Sequence, residues 1–265
     1  MISSHHENTL LPMFSQLANG STVDFSAFSV KSEPVLYTDG TEDTNNPGTV
    51  AMSKNVVVIP IKGVIMKYDY CGDMGMQTFG KILDDLKDDE RVGAVVIDMD
   101  SGGGQASYLD TVCEKMQALR DVKPVFVSVS GYCCSAAYYI SAPATGIYCT
   151  SDLDMVGSIG TMCRLLKKNE NSTAEYVTET FYASKSTMKN NAFRSAQDGD
   201  TKPLVQELDV LNDRFHNDML SARPKISLDA LNGQHVYAPM AMDLGLIDGM
   251  KSLQEVIEYA MSLIK

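Results

Sequence analysis

Between residues 56 and 150, short apolar runs rich in β-branched residues alternate with segments whose apolar residues recur at helical spacing. The runs are 56–61, 95–99, 124–129 and 147–150. Phe79, Ile82, Leu83 and Leu86 share one helical face between the first two runs, and Leu109, Val112, Cys113 and Met116 share another between the second and third. A helix of small residues is expected from about Ser135. Strands this apolar need cover on both faces, and strands linked by crossover helices pair in parallel. The pattern therefore predicts an α/β fold with a mostly parallel sheet. Toward the C-terminus, Leu204, Leu208, Leu211 and Phe215 mark a long amphipathic helix opening at Pro203, where proline suits the first turn. Its stripe fits either core or an interface. Leu253, Val256, Ile257, Ala260 and Ile264 mark a last helix.

Residues 38–49, TDGTEDTNNPGT, contain no apolar residue and read as a solvated linker. A boundary near residue 50 is expected, with residues 1–50 an arm plus polar linker and residues 51–265 one folded domain. Lys plus Arg number 22 against 34 Asp plus Glu, a formal net charge of -12 that disfavours nucleic acid as a partner. No stretch reaches the roughly 18 apolar residues of a membrane span, and residues 1–8 lack a basic region followed by an apolar core. The expectation is a cytoplasmic, non-secreted chain. Cys71, Cys113, Cys133, Cys134, Cys149 and Cys163 form no pair of C-x-x-C knuckles, so reduced thiols and no zinc site are expected.

In parallel α/β sheets, ligands gather beyond the carboxyl ends of strands. Two segments there are unusual. Asp100, Ser101, Gly102, Gly103 and Gly104 form a turn that either connects strand to helix tightly or presents bare backbone N–H groups to a ligand or an oxyanion. It lacks the spacing of a dinucleotide or P-loop motif. Gly131 to Tyr139, GYCCSAAYY, puts Ser135 at the start of a helix. Ser135 there is either a structural N-cap or a nucleophile beside the positive end of the helix, with the Ala136 N–H as an oxyanion donor. Cys133 and Ala137 occupy the glycine positions of a G-x-S-x-G elbow, so that motif is absent.

A serine nucleophile needs a base. His5 and His6 lie in the arm, His216 on the long helix and His235 in an expected loop, which makes a Ser-His-Asp triad a poor fit. A lysine kept uncharged by desolvation is the other route. Lys185 and Lys189, within YASKSTMKNN, are candidates, and each could equally be a surface charge.

Taken in order, these segments resemble the signal peptide peptidase A family of serine peptidases, and especially its phage and prophage members linked to capsid maturation. The resemblance spans roughly residues 56–248. It rests on the first strand followed by Gly63 and Val64, and on Asp100 to Gly104, similar to the family's D-S-P-G-G turn. It continues through Ser135 with Ala136, Ala137, Tyr138 and Tyr139, then Gly157, Ser158, Ile159 and Gly160, and ends with Tyr237 and Ala238 and with Gly245 to Asp248. Gly102 stands where the family has proline, Ala136 and Ala137 where glycines are common, and Cys134 where alanine is common.

The resemblance implies a Clp-protease/crotonase-like fold, a spiral of β-β-α units with C-terminal helices, and a serine endopeptidase with a Ser/Lys dyad. It assigns Ser135 as nucleophile, the N–H groups of Gly103 and Ala136 as oxyanion hole, and Ser158 as the residue orienting the lysine. Lys189 matches the S-T-x-K-N form of the prophage members. Counting against the cellular members falls near Thr187, between Lys189 and the alternative base Lys185. No cofactor and no metal are implied. The implied substrate is a phage capsid or scaffolding protein, the implied assembly a homo-oligomer, and the implied setting the host cytoplasm or procapsid. The rival readings are a crotonase-like acyl-CoA enzyme, an inactive assembly component of the same fold, and Cys134 as nucleophile.

Overall fold

A computed structural model describes residues 34–37, 55–70, 72–165 and 180–264. The expected polar linker, the arm before residue 34, and Cys71 lie outside these residues, His5 and His6 among them. Strand β1 (Val35–Tyr37) is followed by β2 (Asn55–Ile65), α1 (Met76–Asp88), β3 (Val92–Gly104) and α2 (Leu109–Arg120). Next come β4 (Val125–Cys134), α3 (Ala136–Ser141), β5 (Gly146–Cys149) and β6 (Met155–Gly157). The C-terminal part comprises α4 (Asn191–Gln197), α5 (Lys202–Ala222), a 3-10 turn (Leu228–Leu231), β7 (His235–Tyr237), α6 (Ala238–Asp243), β8 (Gly249–Met250) and α7 (Leu253–Ser262).

The sheet runs β1-β2-β3-β4-β5-β8, parallel throughout except for β1, which pairs antiparallel with β2. Both faces are covered, as the apolar runs require. Ile59, Ile61, Ile97, Met99 and Val127 pack under Phe79 and Leu83 of α1 and Val112 and Met116 of α2. Val56, Val58, Ala94, Val96 and Phe126 on the other face pack under Val256, Ile257 and Ala260 of α7. Ser252 and Glu255 form a reciprocal capping box that starts α7.

The β-β-α character arises because β2, β3 and β4 each continue past a break in register and pair again in a second place. Val64 and Ile65 pair with Gly103 and Gly104 after a shift, and Ser101 pairs with Cys133 after another. Tyr132–Cys134 of β4 pairs with β6, which in turn takes β7 antiparallel. This corrects two sequence expectations. Residues 100–104 and 131–134 are bent continuations of β3 and β4 and not turns that end them, and residues 235–237 form a strand and not a loop. Bulges let a strand bend without losing its ladder, and glycine makes the bend inexpensive.

One carboxylate anchors the bend in β4. Asp154, almost fully buried, accepts the Gly131 and Thr150 N–H groups at 2.8 Å, the Ser151 N–H at 2.9 Å and the Thr150 hydroxyl at 3.1 Å. Asp154→Ala takes the acceptor from the half-buried Gly131 N–H and Thr150 hydroxyl and from Ser151 N–H, while Thr150 N–H keeps Val129 O at 2.9 Å, and a loss of about 1–3 kcal/mol is expected in denaturant titrations. Asp154→Asn, which keeps an acceptor, should lose less.

Candidate active site

Ser135 stands where the bent half of β4 gives way to α3. Its φ of 55° and ψ of -120° are unfavourable for a residue with a Cβ, and a conformation of this kind costs of order 1–3 kcal/mol. Neighbours hold it there. The Ser135 N–H donates to Gly157 O at 2.8 Å, and its carbonyl accepts the Tyr139 N–H at 2.9 Å. The side chain forms no capping hydrogen bond to α3, so the structural N-cap reading does not describe it.

Gly103 lies directly against the serine. With φ at +100°, it sits so close that an added Cβ would fall 2.8 Å from Ser135 Cβ and 3.0 Å from Ala136 N. The third strand thus brings the Gly103 backbone against Ser135, and the first turn of α3 carries the Ala136 N–H, which no helical carbonyl can reach. The Gly103 N–H donates to Ser101 Oγ at 3.1 Å, and that buried hydroxyl donates to Gly63 O at 2.6 Å. The Gly103 N–H is thus already engaged within the chain. Gly103→Ala adds both a steric overlap and a left-handed strain. An expected loss of about 2 kcal/mol in stability would show in thermal melts.

A cleft of ≈ 270 Å³ opens beside Ser135, with an apolar wall that includes Leu208, Leu211 and Phe215 of α5 and Met162 from the segment after β6. The amphipathic stripe seen in the sequence is therefore divided: Phe215 and Met219 are buried, whereas Leu211 stays about half exposed in the cleft wall. Sequence reasoning had α5 but missed its part in the cleft, for which the helical periodicity was the available signal. It also missed Tyr139 and Thr161, which carried none.

The other candidates are distributed around this centre. Ser158, at φ 51°, follows the Gly157 whose carbonyl receives the Ser135 N–H, and its own N–H donates to Gln234 O at 2.7 Å. Lys185 and Lys189 are exposed on the irregular segment leading into α4, and neither lines the cleft. His216 faces Asn212 on α5 at 3.2 Å, and His235 is exposed on β7, opposite Gly157. Burial pushes the Cys134 thiol up to about 12, and the thiol donates to Met155 O at 3.5 Å. A thiol so placed supplies almost no thiolate near neutral pH, which argues against Cys134 as nucleophile. No group of three or more His, Cys, Asp or Glu suited to a metal occurs among the described residues, and no helix among them is long and apolar enough to cross a membrane.

The chain is similar to several known proteins. The chain is 26% identical over 216 residues to Protease 4 of Salmonella typhi, a match covering 79% of this chain and 35% of that protein. It is 23% identical over 211 residues to the Head-tail preconnector protein GP5 of Enterobacteria phage P21, covering 76% and 42% respectively. The chain thus spans between about a third and under half of these relatives. Among solved structures it is similar to a ClpP1 variant from Listeria monocytogenes, with a TM-score of 0.48 and 13% identity over 76% of this chain and 94% of that one. The sequence pattern of Peptidase family S49 matches residues 117–265, more than half of the chain and all of it from the last turn of α2 onward, so the protein belongs to Peptidase family S49.

Proposed function

We propose that this chain is a serine endopeptidase in which Ser135 is the nucleophile and Lys189 the general base, with Lys185 as the alternative base. The observation that carries the reading is the backbone of Ser135, held in a strained conformation at the cleft with Gly103 and Ala136 N against it. The uncharged Lys189 amine takes the Ser135 hydroxyl proton as Oγ attacks the substrate carbonyl. Ala136 N–H and Gly103 N–H receive the oxyanion, the Gly103 donor turning from Ser101 Oγ. The intermediate collapses, the C–N bond breaks and the leaving amine takes the proton from the lysine. Water then attacks the acyl-serine by the same route and regenerates the hydroxyl. Ser158 orients the lysine.

An amine accepts a proton only when uncharged, which requires exclusion from water. Both lysines are exposed in the single chain. The proposal therefore has the lysine-bearing segment covered in the working assembly, by bound peptide or by a second copy in a homo-oligomer. Likeness to a phage head-tail preconnector protein supports a capsid or scaffolding protein of the same phage as substrate, processed during head maturation in the host cytoplasm or procapsid. The deciding experiment treats the full chain with a peptidyl diphenyl phosphonate and maps the adduct by mass spectrometry. Modification of Ser135 is expected; an unmodified chain under conditions that label a control serine peptidase would overturn the proposal. Coexpression with the neighbouring structural proteins, followed by mapping of new termini, would identify the substrate.

A further inference from the structure

Tyr139 sits one helical turn beyond Ser135, and its N–H closes the first turn of α3 on the Ser135 carbonyl. Its side chain reaches across to α5. The phenol donates to Asp218 Oδ2, and the ring packs edge-on against Phe215 with centroids 5.0 Å apart. Asp218 also accepts Arg214 Nε at 2.7 Å, so one carboxylate is shared between α3 and its own helix. Nearer its N-terminus, α5 holds the opposite wall. Asn212 Oδ1 accepts the Thr161 N–H at 3.2 Å, and Leu208 O accepts the Thr161 hydroxyl at 2.9 Å. Thr161 lies three residues past Ser158 and lines the same cleft as Ser135. A single helix therefore ties together both sides of the cleft.

Strained backbone at a site persists only while its surroundings determine it. Burial first, and the Asp218 carboxylate second, push the Tyr139 hydroxyl well above its ordinary range, so it remains a donor. We propose that Asp218 is a positioning residue: through Tyr139 it fixes the turn that presents Ser135 Oγ and Ala136 N–H to the cleft. The inference rests on Ser135 being the nucleophile. Asp218 acts at a distance from substrate, by holding α3 in place against α5.

The test compares Tyr139→Phe, Asp218→Ala, their combination and Asp218→Asn. Tyr139→Phe keeps the ring contact with Phe215 and loses only the hydroxyl, and Asp218→Asn keeps an acceptor for it. The readouts are the rate of Ser135 labelling by the phosphonate and amide hydrogen exchange of residues 135–141. Each of the first two variants should label about tenfold more slowly, the combination no more slowly than the slower single, and Asp218→Asn close to the parent. Exchange of residues 135–141 should rise in the same variants while exchange of the central strands stays unchanged. Parent-rate labelling in folded Tyr139→Phe, or losses that simply add in the combination, would overturn the role. If the parent takes no label at Ser135, the peptidase reading fails separately and exchange alone decides: unaltered protection of residues 135–141 in both singles refutes the positioning role, and a non-additive rise upholds it.

Discussion

Ser135→Ala is expected to reduce peptide cleavage by at least about 10³-fold, because removal of a covalent nucleophile leaves only binding and oxyanion stabilisation. The variant should still fold. The hydroxyl forms no capping bond to α3, and the backbone contacts to Gly157 and Tyr139 are independent of the side chain. Ser135→Gly separates chemistry from strain. Glycine tolerates φ 55° and ψ -120°, so this variant should be as inactive as Ser135→Ala yet more stable than it by about 1–2 kcal/mol. A nucleophile site that gains stability when the nucleophile is removed would mark the conformation as kept for function. Cleavage by Ser135→Ala at the parent rate, measured on the same substrate by mass spectrometry of the products, would defeat the assignment.

The alternation of 56–61, 95–99, 124–129 and 147–150 with helical segments sufficed for the parallel sheet, since such apolar strands are stable only when both faces are covered. What it could not convey was where each strand stops. Asp98 and Asp100 interrupt the apolar run of β3, and Ser130 and Gly131 that of β4, yet both ladders carry on because β3 pairs again with β2 and β4 after register shifts and the second half of β4 takes β6 as a further partner. β6 and its antiparallel neighbour β7 are each three residues long; β6 depends on pairing with β4 and β7, and β7 on pairing with β6. Pairing between segments so distant in sequence leaves no periodic trace. The site divides in the same way. Ser135, Gly103 and Ala136 were legible through a resemblance in ordered short motifs, and the structure gathers them around one point. Tyr139 and Asp218 were not, because a hydrogen bond between a phenol and a carboxylate 79 positions apart requires knowledge of how α3 and α5 cross.

For the base, Lys189→Ala is expected to lower acylation of Ser135 by at least about 10³-fold, and Lys185→Ala by less than about threefold. The two lysines differ in how they are held. Lys189 directly precedes Asn190, the N-cap of α4, and its N–H donates to Ser186 O at 3.2 Å. The helix it introduces packs on α5, the same helix that forms a wall of the cleft. Lys185 lies a turn earlier, in the irregular stretch. Anything that moves α4 and α5 as a unit carries Lys189 with it more directly. A lysine that merely anchors substrate or a neighbouring carboxylate would be replaced adequately by arginine. A base would not, since guanidinium keeps its proton at any working pH. Lys189→Arg should therefore be as slow in phosphonate labelling as Lys189→Ala, while His235→Ala labels like the parent. Arginine supporting turnover at position 189 would reassign the residue to binding and return the search for the base to Lys185.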